Sequence, residues 1–224
     1  MSLWNFAADH FLSLTPPSPP LIPLHGKQLQ MRYPNQEWIY PGSTIDIRET
    51  GRLPEIGTVG LDCNSRYLIV SLDPDVVLPG TGIQTIILHW YQSNFTFSCN
   101  GAGDSGVLKP GDDHGGDKHD SNTAPYIPPQ PPVGSHHRYV FLLFNQSQSY
   151  EFPDCFEHIP PQTKDARSGF DIREFMLVAE LDPPIAINYF YGRHTASHDE
   201  HTLPSSSVTQ TSFKSLDCQI GPTS

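Results

Sequence analysis

The stretch at residues 126–146 constrains the fold of this chain more than any other, because a proline-rich segment leads there into an apolar one. The segment at residues 125–134 is rich in proline, which fixes φ and removes the backbone donor, so it cannot join the interior of a sheet. Residues 137–144 open with His-Arg and continue as an apolar and aromatic run that is typical of a strand buried on both faces. The junction carries His136, His137 and Arg138, and a rigid loop that leads into a central strand predicts a pocket wall there.

Short strand-like runs separated by turn residues follow one another along most of the chain. They are residues 29–33, 44–47, 67–72, 83–92, 139–144 and 185–191. Because most of them succeed one another without a helical pattern in between, the sheet is expected to be mainly antiparallel. One later helix is predicted at residues 168–181, with Ser168 as its N-cap. Its apolar stripe consists of Ile172, Phe175, Met176 and Ala179.

The charge of the chain excludes two classes of partner. Its 224 residues suit one domain and carry a formal net charge of −11. A nucleic-acid-binding surface needs basic residues to neutralise phosphates, and a surface that binds anionic lipids needs clusters of lysine and arginine. No apolar run approaches the roughly 18 residues of a membrane-spanning helix. The first residues lack the basic and apolar regions of a secretory signal, which predicts a cytoplasmic protein.

The four cysteines are widely spaced and form no C-x-x-C motif; they are Cys63, Cys99, Cys155 and Cys218. This spacing fits neither a zinc site nor a dense disulfide scaffold. The cysteines are therefore expected to be reduced thiols, and a Cys99–Cys155 disulfide between loops is the alternative.

Three polar residues, Asp73, His89 and His137, lie in or beside apolar strands, where burial is costly unless they are hydrogen-bonded. A carboxylate beside an imidazole fixes its tautomer and favours its charged form. Two imidazoles that face one pocket would donate to a phosphate, a sulfate or a carboxylate, so these residues are predicted to form a ligand site. The alternative is that they are core polar residues bonded to one another and to the backbone.

Two other patterns lie in or beside a polar insert at residues 100–123, and neither predicts chemistry. Gly103-Asp104-Ser105-Gly106 resembles the nucleophile motif of trypsin-like proteases, but the matching His and Asp contexts are missing. The Asp and His residues at positions 112–120 are of metal-ligand types without the spacing of a known site. No metal, cofactor or hydrolase motif is therefore predicted.

The expected organisation is one domain at residues 25–194 between two extensions. Residues 1–24 combine a short amphipathic helix pattern with a proline-rich stretch, and residues 195–224 are rich in serine and threonine. The insert at residues 100–123 and the tail at residues 195–224 are expected to be mobile. Trimming the tail is accordingly expected to leave the melting temperature nearly unchanged.

Four motifs resemble those of the phosphatidylethanolamine-binding protein family and come in the order of that family. They are Asp73-Pro74-Asp75 with Pro79, Leu88-His89-Trp90, the proline-rich loop followed by Gly134-x-x-His137-Arg138-Tyr139, and the segment at residues 181–190. The resemblance implies a mainly β fold, with a large central antiparallel sheet, a smaller flanking sheet and a few short helices.

The resemblance also implies a pocket for small anionic groups. Its lining would be Asp73, His89 and His137, with Pro131, Pro132 and Gly134 as a rigid lip. The chain is therefore expected to bind a small phosphate or carboxylate ligand without a cofactor.

Two further functions are implied by other members of the family. The proline-rich loop at residues 125–134 looks like that of fungal and bacterial members. Some fungal members assist the coupling of maleic-anhydride monomers in secondary metabolism. That resemblance implies a biosynthetic enzyme as partner and leaves open whether the chain is itself an enzyme. Other members inhibit serine carboxypeptidases or modulate kinases, which implies a protein partner such as a protease.

Overall fold

The computed structural model describes residues 27–99, 106–110, 123–160, 163–195 and 218. The predicted N-terminal helix, the acidic cluster at residues 112–120 and most of the tail lie outside the described residues. Within the described ranges, no helix is long and apolar enough to cross a membrane.

Strands make up most of the regular structure in the described part of the chain, and its helices are short. The strands are β1 (Lys27–Gln28), β2 (Met31–Arg32), β3 (Ser43–Asp46), β4 (Glu55–Ile56), β5 (Arg66–Val77), β6 (Gln84–Thr96), β7 (Lys109–Pro110), β8 (His136–Gln146) and β9 (Ala186–Arg193). The α-helices are α1 (Lys164–Arg167) and α2 (Ile172–Val178), and 3-10 turns cover Ile47–Glu49 and Asp154–Phe156. Each of the six predicted strand runs overlaps one of these strands.

The large sheet has the strand order β1-β9-β8-β5-β6-β7, and β3 pairs with β9 as well. Its central pairs, β6–β5, β5–β8 and β8–β9, are antiparallel, whereas β1 and β3 both run parallel to β9. Strands β2 and β4 form a small antiparallel sheet. The predicted fold class is thus confirmed, with the correction that the large sheet is mixed at one edge.

A separate hydrophobic core packs on each face of the large sheet, because successive side chains of its buried strands point to opposite faces. The first core includes Leu68, Val70, Val140, Leu142, Phe156 and Phe175. The second core includes Ile69, Phe141, Leu143, Met31, Ile56 and Trp90. Helix α2 covers the first face and the small sheet covers the second, which leaves the central strands buried on both sides, as the apolar run at residues 137–144 predicts.

The predicted helix at residues 168–181 is shorter than expected. Helix α2 begins after Asp171, whose carboxylate accepts from the backbone of Arg173 and Glu174, so Asp171 and not Ser168 is the N-cap. The backbone before it is bound elsewhere, since Gly169 N donates to Ile86 O at 2.9 Å. The predicted apolar stripe is confirmed, because all four of its residues are buried.

The polar insert contains a short packed segment that its composition did not predict. Strand β7 pairs with β6, and Leu108 before it is 6% exposed in the second core. The expectation of a mobile loop is therefore wrong for residues 106–110.

The expectation of reduced thiols is also wrong, because the four cysteines form two disulfides. Cys63 pairs with Cys99 and Cys155 pairs with Cys218, with Cα atoms 5.2 Å and 5.7 Å apart. The alternative Cys99–Cys155 pairing does not occur. Disulfides persist mainly in oxidising compartments, and the cytoplasmic location stays a prediction.

Candidate functional site

A β-bulge places the Asp73 carboxylate. The pairs Asp73–Ile87 and Val76–Thr85 follow one another between β5 and β6, so β5 has two residues where β6 has one. Such a bulge bends its strand and redirects side chains. It lies in the Asp-Pro-Asp motif, where Pro74 cannot donate to a ladder. The result is an Asp73 that is 3% exposed and turned toward β8.

A second bulge places His89. The pairs Ser71–Trp90 and Leu72–Leu88 are consecutive, so His89 has no residue opposite it on β5. The imidazole is 3% exposed in an otherwise apolar strand. Both candidate residues on neighbouring strands therefore owe their direction to local irregularities in the ladder.

Asp73 and His137 form the central hydrogen bond of the site. The Nδ1–H of His137 donates to Oδ2 of Asp73 at 2.9 Å, and the other carboxylate oxygen accepts from the backbone N–H of Asp75 at 2.9 Å. The His137 side chain is 13% exposed, so the pair is reachable from solvent through this ring. Asp73 thus orients a histidine at the sheet surface.

His89 is held by the proline-rich loop. Its Nδ1 lies 2.7 Å from the carbonyl oxygen of Ile127, which only accepts, so Nδ1 carries the hydrogen. In the neutral ring the remaining nitrogen, Nε2, is then an acceptor. It faces Oδ2 of Asp73 at 4.0 Å, beyond hydrogen-bond distance.

The two histidines have pKa values that shift in opposite directions. Burial lowers the pKa of His89, and the nearby Asp73 carboxylate offsets this only in part. Burial also acts to lower the pKa of His137, but its hydrogen bond to Asp73 and the charges of Asp73 and Asp75 outweigh burial and raise it. The site therefore favours a neutral His89 beside a cationic His137.

Tyr139 is a site residue that the sequence analysis missed. Its buried hydroxyl has no partner at hydrogen-bond distance and angle, and the polar groups near enough to interact with it are the Asp73 carboxylate and the backbone of Gln130. Its ring stands edge-on to His89 with centroids 5.1 Å apart, and burial and the Asp73 carboxylate raise its pKa. The signal was available, because Tyr139 lies two residues after His137 and so shares its face of β8.

Replacing Tyr139 by Phe tests whether the hydroxyl is kept for a ligand. An unpaired buried hydroxyl destabilises a fold, so Tyr139→Phe is expected to leave the unfolding free energy unchanged or to raise it by about 1 kcal/mol. Tyr33→Phe is the matched control, because the buried Tyr33 hydroxyl bonds to that of Tyr126 at 2.8 Å; it is expected to lose about 1 kcal/mol. Urea denaturation measures both, and equal losses would show that the Tyr139 hydroxyl has a partner.

The three predicted lip residues form the turn that leads into β8. Pro131 is buried and its carbonyl accepts from Nδ1 of His194 at 3.0 Å, while the Gly134 N–H donates to the His194 carbonyl at 3.1 Å. The Pro132 carbonyl accepts from Ser135 N, and Gly134 has a φ of 79°, as the third position of a type II turn requires. The loop is thus fastened to the end of β9, with Pro132 and Gly134 at the surface. That they line a pocket stays a prediction.

An ion pair lies next to the site and joins β8 to the β5 bulge. The Arg138 Nε donates to Oδ2 of Asp75 at 2.8 Å, and the Arg138 backbone N–H donates to the same oxygen at 2.7 Å. The two side chains are 6% and 16% exposed. This pair fixes β8 against the residue that follows Pro74.

Arg167 is a second residue that the sequence did not identify. It is fully buried, and its guanidinium donates to the carbonyls of Ile159, Pro125 and His89 at 3.0, 2.5 and 3.4 Å. Burial lowers its pKa to about 10. Arg167 thereby joins the His89 bulge to the start of the proline-rich loop. An arginine in a short polar segment gives no sequence signal of such burial.

The side chains of the site are not arranged as a metal centre. Across the described ranges, no group of three or more His, Cys, Asp or Glu side chains is placed to hold a metal ion. The donor set of Asp73, His89, His137 and Tyr139 is suited instead to hydrogen bonding of a small polar ligand.

The fold is shared with known structures. A phosphatidylethanolamine-binding protein from Plasmodium vivax aligns with a TM-score of 0.53 at 15% identity, over 84% of this chain and 95% of that one. A carboxypeptidase Y inhibitor in complex with its cognate proteinase aligns with a TM-score of 0.51 at 16% identity, over 75% of this chain and 83% of that one. At these identities the likeness shows the fold alone.

Two curated relatives are more similar in sequence, and both are called phomoidride biosynthesis cluster protein N. The one from Talaromyces stipitatus is 38% identical over 125 residues, which are 56% of this chain and 58% of the relative. The one from another fungal species is 35% identical over 141 residues, which are 62% of this chain and 59% of the relative. The matched part thus spans less than two thirds of each relative.

The family model described as phosphatidylethanolamine-binding protein matches residues 27–190. That range contains both bulges, the proline-rich loop and β8, with Asp73, His89, His137 and Tyr139. The chain belongs to the phosphatidylethanolamine-binding protein family.

Proposed function

We propose that this protein binds a small carboxylate or dicarboxylate at Asp73, His89, His137 and Tyr139. The observation that carries the proposal is the buried Tyr139 hydroxyl without a partner, beside an Asp73–His137 pair. Such a hydroxyl is costly in the free protein, and a ligand oxygen that accepts from it would remove that cost.

The charge of His137 supplies the attraction for an anion. Its Nδ1–H is used by Asp73, and in the cationic ring Nε2 also carries a hydrogen that is free to donate to a ligand. Because the ligand would contact a donor on a 13% exposed ring, it can bind at the surface end of the site. The overall charge of −11 does not prevent this, since the attraction acts at short range.

The biological setting that we propose is a fungal biosynthetic pathway. Two relatives bear the name of a phomoidride biosynthesis cluster protein. We therefore propose that the ligand is of the maleic type, as dicarboxylate or cyclic anhydride, and that the protein assists the coupling of such monomers. The phosphoryl group, which the family resemblance also implies, is the competing ligand chemistry.

Calorimetric titration of maleate and of inorganic phosphate tests the binding proposal. His137→Ala is expected to weaken maleate binding by roughly 10-fold to 150-fold, the equivalent of one charge-assisted hydrogen bond. His136→Ala is the matched control, because that neighbouring side chain is exposed and lies outside the site. Equal affinity in both variants would contradict the anion site, and tighter binding of phosphate than of maleate would favour the phosphoryl ligand.

The affinity is also expected to depend on pH, with a sign set by His137. Its pKa is raised, so the ring is cationic at about pH 6 and becomes neutral as the pH rises through that raised value. Above about pH 7, where both carboxyls of maleate are ionised, maleate affinity should therefore fall as the pH rises to about 9 in the wild type and change much less in His137→Ala. An affinity that is independent of pH in the wild type would show that His137 does not contact the ligand.

The inhibitor function stays a prediction. A fold likeness of 16% identity to a carboxypeptidase Y inhibitor in complex with its proteinase is compatible with a protein partner. The proline-rich extension at residues 1–24, which could contribute to such a contact, lies outside the described residues.

A further inference from the structure

We propose that the site is also an acid–base centre, in which Nε2 of His89 removes a proton from a carbon conjugated to a carbonyl group and the Tyr139 hydroxyl stabilises the enolate oxygen. This inference rests on the proposed function, because the bound carboxylate or anhydride is its substrate. It goes beyond binding, since it assigns a reaction class and two catalytic residues.

The geometry around His89 makes Nε2 a base. The hydrogen on Nδ1 is committed to the Ile127 carbonyl at 2.7 Å, so the neutral ring presents a lone pair at Nε2. Nε2 lies 4.0 Å from Oδ2 of Asp73. Asp73 itself is less available as the base, because its two oxygens accept from His137 and from the Asp75 backbone.

The Tyr139 hydroxyl is the acid side of the site. The Tyr139 hydroxyl is buried without a partner, and its ring contacts His89 edge-on. A donor that is already oriented in a dry site stabilises a developing oxyanion more than a donor in water. Base and oxyanion donor therefore lie on neighbouring rings.

The protonation preferences of the two histidines support this division of roles. Burial lowers the pKa of His89, as do the charges of Lys164 and Arg167, while the Asp73 carboxylate acts in the opposite direction. The Tyr139 ring stands edge-on to the imidazole and Arg167 donates to the His89 carbonyl, and the net result is a lowered pKa that favours the neutral ring. His137 next to it has a raised pKa. Titratable groups whose environments separate their pKa values are the usual mark of a base and an acid in one site.

The step balances without any co-reactant. The C–H electron pair of a methyl group on the conjugated double bond forms a new C=C bond to the methyl carbon. The original C=C pair moves to form a double bond to the carbonyl carbon, and the carbonyl π pair becomes the negative charge on the oxygen. The proton goes to Nε2 of His89, which becomes an imidazolium, while Tyr139 donates a hydrogen bond to the oxygen. Reversal returns a proton to carbon, and in heavy water it returns a deuteron that the ring has exchanged with solvent.

Deuterium exchange into the methyl groups of 2,3-dimethylmaleic anhydride tests the proposal. Proton NMR in heavy water at about pH 7, above the ordinary histidine pKa, so that the lowered pKa of His89 leaves its ring mainly neutral, is expected to show exchange at least about tenfold faster than with free imidazole at equal concentration. His89→Gln retains a donor for the Ile127 carbonyl but has no base, so the acceleration should disappear. Tyr139→Phe should bring the rate close to that of free imidazole, because one oxyanion donor is typically worth about 100-fold.

His158→Gln is the matched control. The exposed His158 also donates from Nδ1 to a backbone carbonyl, that of Cys155 at 3.2 Å, but lies outside the site. This variant should exchange at the wild-type rate, and since it keeps every lysine it also accounts for acylation of the protein by the anhydride. Wild-type exchange in either His89→Gln or Tyr139→Phe would overturn the assignment of that residue.

Calorimetry with dimethylmaleate separates this inference from the proposed function. Binding without accelerated exchange would overturn the acid–base centre and leave the binding function standing. Absence of binding would overturn both. Binding together with exchange that needs His89 would establish the reaction class.

Discussion

Loss of the Cys155–Cys218 disulfide is expected to lower the unfolding free energy by about 4 kcal/mol and the melting temperature by roughly 8–16 °C. The bond closes a segment of 63 residues, which in the chain-entropy description of disulfides restricts the unfolded state strongly. Cys155 and Cys218 also pack against the first core, so the bond holds part of the tail on the domain. The measurement is calorimetric melting of the wild type and the double variant Cys155→Ala/Cys218→Ala.

Two controls identify the bond as the cause. Melting in reductant removes both disulfides from the wild type, so the wild type and the double variant should then unfold within about 2 °C of each other. Ending the chain after Thr195 should lower the melting temperature as much as the double variant does. This outcome would replace the sequence-based expectation that the tail can be trimmed freely, and an unchanged melting temperature would restore that expectation.

Breaking the Asp75–Arg138 ion pair is expected to have an effect of similar size. Asp75→Ala removes the carboxylate that accepts from a guanidinium that is 6% exposed, and removing one partner of a buried ion pair costs about 3–5 kcal/mol. The pair joins β8 to the bulge of β5 beside Asp73, so we expect its removal to destabilise the contact between these two central strands. Urea denaturation with an unchanged m-value is the measurement.

The Arg32–Glu55 pair is the matched control for this prediction. Its side chains are 35% and 37% exposed, and Glu55→Ala is expected to cost less than about 1 kcal/mol. The double variant Asp75→Leu/Arg138→Met should recover most of the loss, because replacing both partners of a buried pair by apolar residues is often neutral. A loss in Asp75→Ala as small as in Glu55→Ala would show that the pair is effectively solvated.

The central strands could be predicted from the sequence because their signal is local. The short apolar run at residues 137–144 follows turn residues and is rich in aromatic side chains, which favours a buried strand, and His89 is conspicuous in the apolar run at residues 83–92. The convergence of Asp73, His89 and His137 followed from the family resemblance, and the structure brings these three residues together as expected.

The features that could not be predicted depend on contacts between distant parts of the chain. The partner of Cys155 lies 63 residues away, and no pattern between the two residues indicates the pairing. The apolar pattern places the start of α2 too early, because the backbone N–H of Gly169 donates to Ile86 of β6 and not to a helical carbonyl. Burial of Leu108 in a polar insert is likewise decided by β6, against which its segment packs.

Two residues in and beside the site were also not identified from the sequence, because their surroundings are visible only in the structure. Tyr139 lies in a buried aromatic run, and only the structure shows that its hydroxyl lacks a partner. Arg167 lies in a polar segment where a solvated side chain is expected, although the carbonyls of Ile159, Pro160, Pro125 and His89 hold it in the interior. In both cases the sequence shows the residue type but not the hydrogen-bonding environment of its side chain.

Strand β9 determines when this protein can fold during its synthesis. In the described sheet, β1 and β3 pair only with β9, and Asn188 of β9 donates to the carbonyls of Leu29 and Ile39 across 159 and 149 residues. A nascent chain that has not yet released β9 from the ribosome can pair β5, β6 and β8 but cannot attach its N-terminal strands. Apolar residues of that N-terminal segment then stay exposed, which makes folding late, slow and sensitive to chaperones.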